Sequence, residues 1–297
     1  MNALKENNCL WYEHFDIERP FDFRLHTSMG CGGVAKFAIY PHTEAECIRV
    51  CEELSQRGQS FLVVGNLTNV LVSDLGTDKL VICTKKMQGI TQIDDTHIYA
   101  EAGVGSGNLL TFLRRKELSG LAFLTGIPCT VGGALYMNAG VQGHYIADAL
   151  ESVRVWQNGQ VQTLLKEECD YRYKHSCFMA SKALILGATF CLKQGNIADI
   201  SEEERRYRVR RAHLPKGKSV GCIFKNPEGN SAGALIERAG LKGLRVGGAV
   251  VSAKHANFII NDGNATAREV HALIKLVQNA VFAYSGIFLE EEIQYID

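Results

Sequence analysis

The feature that most limits the fold of this chain is an alternation of strand-like and helix-like segments through its first two thirds. Residues 34–40 alternate apolar and polar side chains with the period of a strand, and Pro41 ends them. Thr43 then opens a helical pattern that ends at Gly58, and residues 60–64 form a mostly apolar strand. The alternation predicts an α/β or α+β lobe of about 190 residues.

The same patterns predict the elements of the remaining chain. Further strands are predicted at 79–84, 96–103, 152–156, 160–165 and 183–192, and one helix is predicted at 108–118. The charged stretch at 200–211 predicts a solvated helix, which marks the boundary to a C-terminal lobe. In that lobe, strands are predicted at 219–224, 247–251 and 258–261, and helices are predicted at 231–239 and 267–283. Two lobes suit the length, because single cores stop growing at roughly 250–300 residues.

Charge and hydropathy argue against two classes of partner. Lys and Arg total 32 and Asp and Glu total 32, so the chain has no net basic charge with which to hold a polyanion. No segment reaches the roughly 18 apolar residues of a membrane span. Charged side chains also interrupt residues 1–20, where a secretory signal needs an apolar stretch. We therefore expect a partner that is neither nucleic acid nor a membrane.

The chain has ten cysteines. In a chain of this length without a secretory signal, they indicate a reducing cytoplasm rather than a disulfide framework. Cys47 and Cys51 stand at helical i, i+4 spacing, but no second pair follows at the distance of a metal finger. We expect a cytoplasmic protein without a metal site.

Glycine-rich segments indicate a phosphate-bearing ligand. Residues 103–107 join a strand to a helix, but Asn108 stands where a dinucleotide fingerprint needs its third glycine, so a tight structural turn is favoured there. A denser run from Gly126 to Gly143, and the polar loop at 64–69, can let successive main-chain N–H groups converge on an anion. Two such loops suit a pyrophosphate, and purely structural glycine turns remain the alternative.

Eight ordered blocks of sequence carry a resemblance to a known family. They lie at 26–28 with 32–35, 65–69, 126–140, 221–227, 239–243, 254–256, 261–266 and 289–292. In this order they resemble UDP-N-acetylenolpyruvoylglucosamine reductase, a flavoenzyme family of peptidoglycan precursor synthesis. The resemblance runs from about residue 25 to Asp297, and the short C-terminal lobe is similar to that of the smaller subclass of the family.

The resemblance implies an α+β fold with an FAD-binding domain of the vanillyl-alcohol-oxidase type, in two subdomains, and a C-terminal α+β substrate domain. We place the FAD-binding domain at 1–195, with subdomains at about 1–75 and 76–195. We place the substrate-binding domain at 196–297. Its last strand belongs either to this domain or to the FAD-binding domain.

The resemblance also implies the cofactors and the loops that hold them. In the family NADPH reduces the bound FAD, leaves, and is replaced by UDP-N-acetylglucosamine enolpyruvate, which takes a hydride at vinyl carbon C3. The flavin-binding candidates carried over by position are Gly65, Asn66, Leu67, Thr68, Asn69, Gly126, Thr130, Gly132, Gly133 and Asn138. Leu67 stands where a loop glycine or similar small residue is usual, which predicts a different or strained backbone there.

The resemblance implies that three positions activate the substrate. Hydride addition at C3 puts carbanion character on C2, so the site needs a proton donor there and positive or acidic groups at the carboxylate. By position these are Cys222, Lys174 and Glu292, where the family has serine, arginine and glutamate. A thiol, with a reference pKa of about 8.5, is a far stronger acid than an alcohol. The alternative for Cys222 is a small buried core residue.

The change from arginine to lysine leaves alternatives open. An ammonium cannot clamp a carboxylate with two parallel hydrogen bonds as a guanidinium does. Arg172 could supply the missing guanidinium if its loop is irregular, and Lys174 could be a surface cation. Glu292 ends a run of three acids in which strand alternation puts Glu290 on the same side, and its family position favours Glu292.

Three further residues match family positions near the sugar nucleotide: Lys225 as a diphosphate contact, Asn226 as a hydrogen-bond partner, and His255. His255 has a second interpretation as a satisfied polar loop residue. The leading hypothesis is an NADPH-dependent, FAD-containing reductase of UDP-N-acetylglucosamine enolpyruvate. The alternatives are a divergent FAD-dependent oxidoreductase with another substrate, and a flavin-binding protein that has lost catalysis. The sequence does not indicate an oligomeric state.

Overall fold

The computed structural model describes residues 11–12, 14–181 and 183–297. The strands are β1 (Ile17–Glu18), β2 (Phe21–Asp22), β3 (Val34–Ala35), β4 (Ala38–Ile39), β5 (Phe61–Val64), β6 (Val70–Val72), β7 (Leu80–Cys83), β8 (Ile90–Gln92), β9 (His97–Glu101), β10 (Leu118–Ser119), β11 (Gly140–Val141), β12 (His144–Tyr145), β13 (Leu150–Gln157), β14 (Gln160–Leu165), β15 (Leu184–Cys191), β16 (Lys193–Gln194), β17 (Arg245–Val246), β18 (Ala249–Val251), β19 (Ile259–Asn261) and β20 (Gln294–Ile296). The α-helices are α1 (Phe23–His26), α2 (Glu44–Gln56), α3 (Ser106–Arg115), α4 (Val131–Met137), α5 (Ile197–Arg211), α6 (Ala232–Arg238) and α7 (Ala267–Ser285). Among the helices in these described ranges, none combines the length and the apolar character that crossing a membrane requires.

The part of the chain before the C-terminal lobe forms two lobes, each with its own sheet. The first lobe is a four-stranded sheet in the order β1-β4-β7-β5, with α2 packed on it. The strands β4, β5 and β7 run parallel, and β1 runs antiparallel at the edge. Thr43 caps the start of α2, since its hydroxyl accepts a hydrogen bond from the Glu46 N–H, and the helix stops before Gly58, which has a φ of +62°. Its buried face includes Cys47 and Cys51, so these two thiols belong to the core of this lobe.

The second lobe is a five-stranded antiparallel sheet in the order β14-β13-β15-β9-β8, with α3 and α4 packed into its core. The turn from β9 to α3 contains Gly103 and Gly105, and Gly107 lies in the first turn of α3. A Cβ at Gly103 would lie 1.8 Å from the carbonyl oxygen of Thr84. The glycine is therefore needed for close backbone packing, in line with the structural turn favoured from the sequence.

The C-terminal lobe has a three-stranded antiparallel sheet, β17-β18-β19, with α6 and α7. α7 begins with a capping box in which Thr266 and Glu269 bond to each other's backbone N–H, and it ends at Gly286 with a φ of +70°. Two sets of contacts help to fix this lobe to the first lobe. The last strand, β20, pairs in parallel with β6, and the Asp74 carboxylate accepts hydrogen bonds from the first two N–H groups of α7 at 2.8 and 3.0 Å.

Two predicted strands differ from the structure. The segment at 34–40 contains two strands rather than one, because β3 pairs with β2 while β4 joins the sheet of β7. The segment at 219–224 is irregular and forms only isolated bridges, since Gly221 has a φ of +85° and leaves the extended conformation.

Helix α5 is less solvated than its charge pattern predicts. It buries Ile200, Glu204 and Tyr207, and Tyr207 lies in the core of the second lobe. Arg114 of α3 pairs with Glu204 at 2.6 Å. The helix is confirmed and most of its side chains are exposed, and the charged residues flank the narrow inward stripe of Ile200, Glu204 and Tyr207. The domain boundary at residue 196 stays a prediction, and on packing grounds we would place α5 with the second lobe.

Candidate active site

Lys174 and Glu292 meet at the junction between the second and the C-terminal lobe. Lys174 Nζ lies 2.6 Å from Glu292 Oε1, and the two side chains are only 15% and 12% exposed. Charges that are largely withdrawn from water are screened far less than surface charges. Lys174 is therefore not a surface cation, and the structure places these two candidates in direct contact.

A tight turn presents Lys174. The backbones of Arg172 and His175 exchange hydrogen bonds of 3.2 and 3.1 Å, so Tyr173 and Lys174 are the central residues of the turn. Lys174 has a φ of +52°, a left-handed conformation that costs a side-chain-bearing residue roughly 1–2 kcal/mol. The Arg172 side chain is 66% exposed and pairs with Asp170 at 2.8 Å. Arg172 therefore does not supply a guanidinium to the Lys174–Glu292 pair.

Cys222 is held by segments on both sides of its loop. The next residue, Ile223, donates its N–H to the Asn257 carbonyl at 2.9 Å and accepts from the Glu292 N–H at 2.7 Å. The buried side chain of Asn257 accepts from the Phe224 N–H at 2.9 Å and donates to the Phe224 carbonyl at 2.8 Å. The loop that carries the thiol thus has a fixed position beside Glu292.

The thiol of Cys222 lies among three charged groups. Burial, followed by the negative charge of Glu292, raises the pKa of Cys222 to about 11, while Lys174 and Arg211 act in the opposite direction. Because this pKa lies well above neutrality, the thiol is protonated at pH 7. The structure brings Cys222, Lys174 and Glu292 into one cluster although they are far apart in the sequence.

Arg211 is a further cation near this cluster, and sequence reasoning did not select it. It is the last residue of α5, and its Nε donates to the Gly126 carbonyl at 3.1 Å. Burial lowers the pKa of Arg211, and Cys222 is one of the two groups with the opposite effect. The available signal was the run of arginines at 205–211, which does not reveal which of them turns inward.

The loop at 65–69 fits an anion. Leu67 has a φ of +51°, so the backbone there is strained rather than rearranged, and its side chain is only 6% exposed. Within the described part of the chain, no protein acceptor takes the main-chain N–H groups of 66–69. Such a run of free amides around a left-handed residue forms a nest for an anion.

Two buried hydroxyls also lie beside the cofactor candidates, and sequence reasoning missed both. Ser28 donates its N–H to the Leu67 carbonyl at 3.2 Å, and Thr125 precedes Gly126. The hydroxyl oxygens of Ser28 and Thr125 are buried and have no partner among the described residues. Buried hydroxyls without partners are rare in folded proteins. Together with the free amides, they fit a polar ligand such as FAD.

The second glycine loop differs from the prediction. Gly132 donates its N–H to the Ala102 carbonyl at 2.8 Å, and Gly133 donates to Thr130 Oγ1 at 3.3 Å. A Cβ at Gly132 would lie 3.0 Å from the Cβ of Ala102. These N–H groups are therefore engaged within the fold instead of converging on an anion, and Gly132 is explained by helix-to-strand packing.

The two loops are bonded to each other. Asn66 Nδ2 and Thr68 Oγ1 both donate to the Pro128 carbonyl, at 2.9 and 3.0 Å. A Cβ at Gly65 would lie 2.4 Å from Thr130 Oγ1. The shape of one loop thus depends on the other.

Two other flavin candidates have their side-chain amides bonded within the fold. Asn69 Nδ2 donates to the Glu292 carbonyl at 3.1 Å. Asn138 is buried, and its Nδ2 donates to the Arg172 carbonyl at 2.8 Å. Asn69 and Asn138 therefore support the backbone at Glu292 and at the turn that carries Lys174.

Two of the sugar-nucleotide candidates, Lys225 and Asn226, follow Cys222 closely in the sequence. Lys225 Nζ lies 2.5 Å from Glu290 Oε1, and the Glu290 side chain is 71% exposed. Asn226 accepts from the Ala232 N–H at 3.0 Å through its side-chain oxygen. Of the three consecutive acids, Glu290 thus faces solvent and Glu292 faces Lys174.

The third sugar-nucleotide candidate, His255, has different surroundings. Its ring packs edge-on against Phe258 at 4.9 Å, and Nδ1 accepts from the Asn257 N–H at 3.3 Å. Burial lowers the pKa of His255, and its charged neighbours are Lys242 and Glu237 rather than those that face Cys222. The structure does not bring His255 into the cluster.

Comparisons with known proteins identify both halves of the chain. Residues 35–164 match a family model described as FAD binding domain, and residues 213–296 match the C-terminal domain of UDP-N-acetylenolpyruvoylglucosamine reductase. The fold and the site therefore define an FAD-dependent oxidoreductase. The α+β fold, with an FAD-binding domain followed by a C-terminal domain, is confirmed.

Full-length relatives give the particular family. The chain is 39% identical over 279 residues to the UDP-N-acetylenolpyruvoylglucosamine reductase of Caldicellulosiruptor bescii, covering 91% of this chain and 87% of that protein. It is 37% identical over 297 residues to the reductase of Streptococcus pneumoniae, covering 99% and 98%. The crystal structure of the Thermus caldophilus enzyme aligns with a TM-score of 0.83 and 35% identity, covering 95% and 100%. The chain belongs to the UDP-N-acetylenolpyruvoylglucosamine reductase family.

Proposed function

We propose that this protein reduces UDP-N-acetylglucosamine enolpyruvate to UDP-N-acetylmuramate in peptidoglycan precursor synthesis, with FAD bound and NADPH as co-substrate. Beyond family membership, the observation that carries the proposal is the cluster of Cys222, Lys174 and Glu292, with its 2.6 Å ion pair between the lobes. A protonated thiol beside a largely buried cation suits an enolpyruvyl group, which needs a proton at C2 and a cation at its carboxylate.

The residues around the first glycine loop would hold FAD. The free N–H groups of 66–69 suit its pyrophosphate, and the unpartnered hydroxyls of Ser28 and Thr125 suit its polar atoms. When bound, FAD would supply the redox chemistry, which is the transfer of a hydride from NADPH to C3 of the enolpyruvyl group.

Cys222 would deliver the proton that C2 requires. Burial and Glu292 raise its pKa to about 11, which keeps the thiol protonated until negative charge develops at C2. A proton leaves the sulfur and bonds to carbon, and solvent then reprotonates the thiolate. Lys174 and Arg211 stabilise that thiolate, because both act to lower its proton affinity.

The ion pair would orient the substrate carboxylate. An ammonium has three N–H donors, and the 2.6 Å contact with Glu292 uses one of them. The remaining two are available to a carboxylate approaching from the cleft. Glu292 thus fixes the direction of Lys174 and at the same time keeps Cys222 protonated.

We place the activity in the cytoplasm. The nine cysteines that the structure describes are all free thiols, which is usual in a reducing compartment. A UDP-sugar is the small-molecule partner that this proposal requires.

Anaerobic half-reactions test the function. The purified protein should be yellow, NADPH should bleach it, and UDP-N-acetylglucosamine enolpyruvate should restore the colour. UDP-N-acetylglucosamine, which lacks the vinyl group, is the matched control and should leave the flavin reduced. Bleaching without recolouring would favour a divergent oxidoreductase with another substrate, and a colourless protein that does not take up FAD would contradict the proposal.

A further inference from the structure

Asn69 joins the 65–69 loop to the acid of the buried ion pair. Its side-chain Nδ2 donates to the main-chain carbonyl of Glu292 at 3.1 Å. Its own main-chain carbonyl accepts from the Gln294 N–H at 3.0 Å. Glu292 in turn lies 2.6 Å from Lys174 through its carboxylate. A residue of the loop that fits an anion is therefore bonded directly to the residue that directs Lys174.

Main-chain pairing between the two strands stops just before this contact. The strands β6 and β20 pair in parallel from Val70 and Gln294 onwards. Earlier in the loop Leu67 has a φ of +51°, which is far from the extended conformation of a strand, so the ladder does not continue towards Glu292. The side-chain amide of Asn69 bonds the Glu292 carbonyl at the place where main-chain pairing ends.

The main chain of Glu292 is held on both of its polar groups. Its N–H donates to the Ile223 carbonyl at 2.7 Å, next to Cys222, and its carbonyl accepts from Asn69. The side-chain amide of Gln294 lies 3.4 Å from the same carbonyl, beyond the usual range of an N–H···O bond, so Asn69 is the stronger of these two donors. The backbone from which the Glu292 carboxylate extends is thus fixed by the cofactor loop and by the thiol-bearing loop.

We propose that Asn69 is a positioning residue for Glu292 and that its side chain does not bind the flavin. This inference rests on the proposed function. The N–H of Asn69 has no acceptor among the described residues and stays available to a pyrophosphate, whereas the Glu292 carbonyl engages the side-chain amide. The loop that would hold FAD therefore also sets the place of the carboxylate that orients Lys174.

Asn69→Ala separates the two tasks, because it removes the side-chain donor and keeps the main-chain N–H. The FAD affinity of the apoprotein in a fluorescence titration should stay within about threefold of wild type, less than the loss of one hydrogen bond would cause. Reduction by NADPH should stay within about twofold. Anaerobic reoxidation by UDP-N-acetylglucosamine enolpyruvate should slow about 10- to 100-fold, since a misplacement of about 1 Å near reacting groups has an effect of this size.

Two further variants show whether the donor itself is required. Asn69→Gln keeps an amide donor on a longer side chain and should recover part of the reoxidation rate. Asn69→Asp has the shape of the natural side chain but can only accept, so it should not recover the rate. Asn108→Ala is the matched control: it removes an exposed amide that donates to Gln88 Oε1 at 3.2 Å, and it should change neither half-reaction.

Three results would overturn the assignment. A loss of FAD affinity in Asn69→Ala of about tenfold or more would mean that the side chain serves the cofactor. Reoxidation of Asn69→Ala or of Asn69→Asp at the wild-type rate would mean that the bond to the Glu292 carbonyl does not position the acid. A wild-type protein that NADPH reduces but the enolpyruvyl nucleotide does not reoxidise would instead refute the proposed function itself, so the two failures are distinguishable.

Discussion

Removing Lys174 should destabilise the protein much more than removing its exposed neighbour Arg172. Loss of one partner from a buried ion pair costs about 3–5 kcal/mol because the other charge stays buried without compensation. Here Glu292 is 12% exposed and reaches some water, so we expect the lower end of this range for Lys174→Met, about 3 kcal/mol. Arg172→Met breaks a pair whose side chains are 66% and 55% exposed, and it should cost at most about 1 kcal/mol.

A double-mutant cycle measures this coupling directly. Urea unfolding at saturating FAD gives the free energy of unfolding for Lys174→Met, Glu292→Gln and the double variant. Because the double variant leaves no buried charge unpaired, its loss should be smaller than the sum of the single losses by about 1–3 kcal/mol. Additive losses within about 0.5 kcal/mol, or a Lys174→Met variant no less stable than Arg172→Met, would refute the buried pair.

Three further results are expected. Gly65→Ala should weaken FAD binding about tenfold or more in a fluorescence titration, because its Cβ would lie 2.4 Å from Thr130 Oγ1, whereas Gly107→Ala, with open space around its Cβ, should not. The raised pKa of Cys222, about 11, gives stability that is complete below the ordinary thiol pKa of about 8.5 and lost as pH rises towards 11. Urea unfolding across that window should show the loss in wild type, and Cys222→Ser should show less of it. Asn257→Ala should cost about 2–3 kcal/mol in unfolding free energy, because it removes two hydrogen bonds that hold the thiol-bearing loop.

Local signals in the sequence were enough to place several elements, and family positions named the residues of the central ion pair. Thr43 and Gly58 mark the ends of α2, because caps and left-handed stops depend on neighbouring residues. Matching family positions named Lys174 and Glu292 as candidates, but their ion pair joins two lobes and was not predicted. Their chemical roles, and that of Cys222, stay predictions until the variants are measured.

Features that depend on distant contacts escaped sequence reasoning. The Gly132 N–H has a structural acceptor because Ala102, thirty residues earlier, lies against it, and a glycine count cannot reveal that partner. The inward turn of Arg211 depends on how α5 packs on the second lobe. The sequence predicted either a different or a strained backbone at Leu67. Deciding for the strained backbone required knowledge of the core that buries the Leu67 side chain.

Stopped-flow measurement of both half-reactions in Cys222→Ala tests the central role of the thiol most directly. Reduction of the flavin by NADPH should proceed at the wild-type rate, since that step needs no proton from Cys222. Reoxidation by UDP-N-acetylglucosamine enolpyruvate should slow by about 100- to 10,000-fold, the usual contribution of a general acid. Reoxidation at the wild-type rate would contradict the assignment of Cys222 as the proton donor.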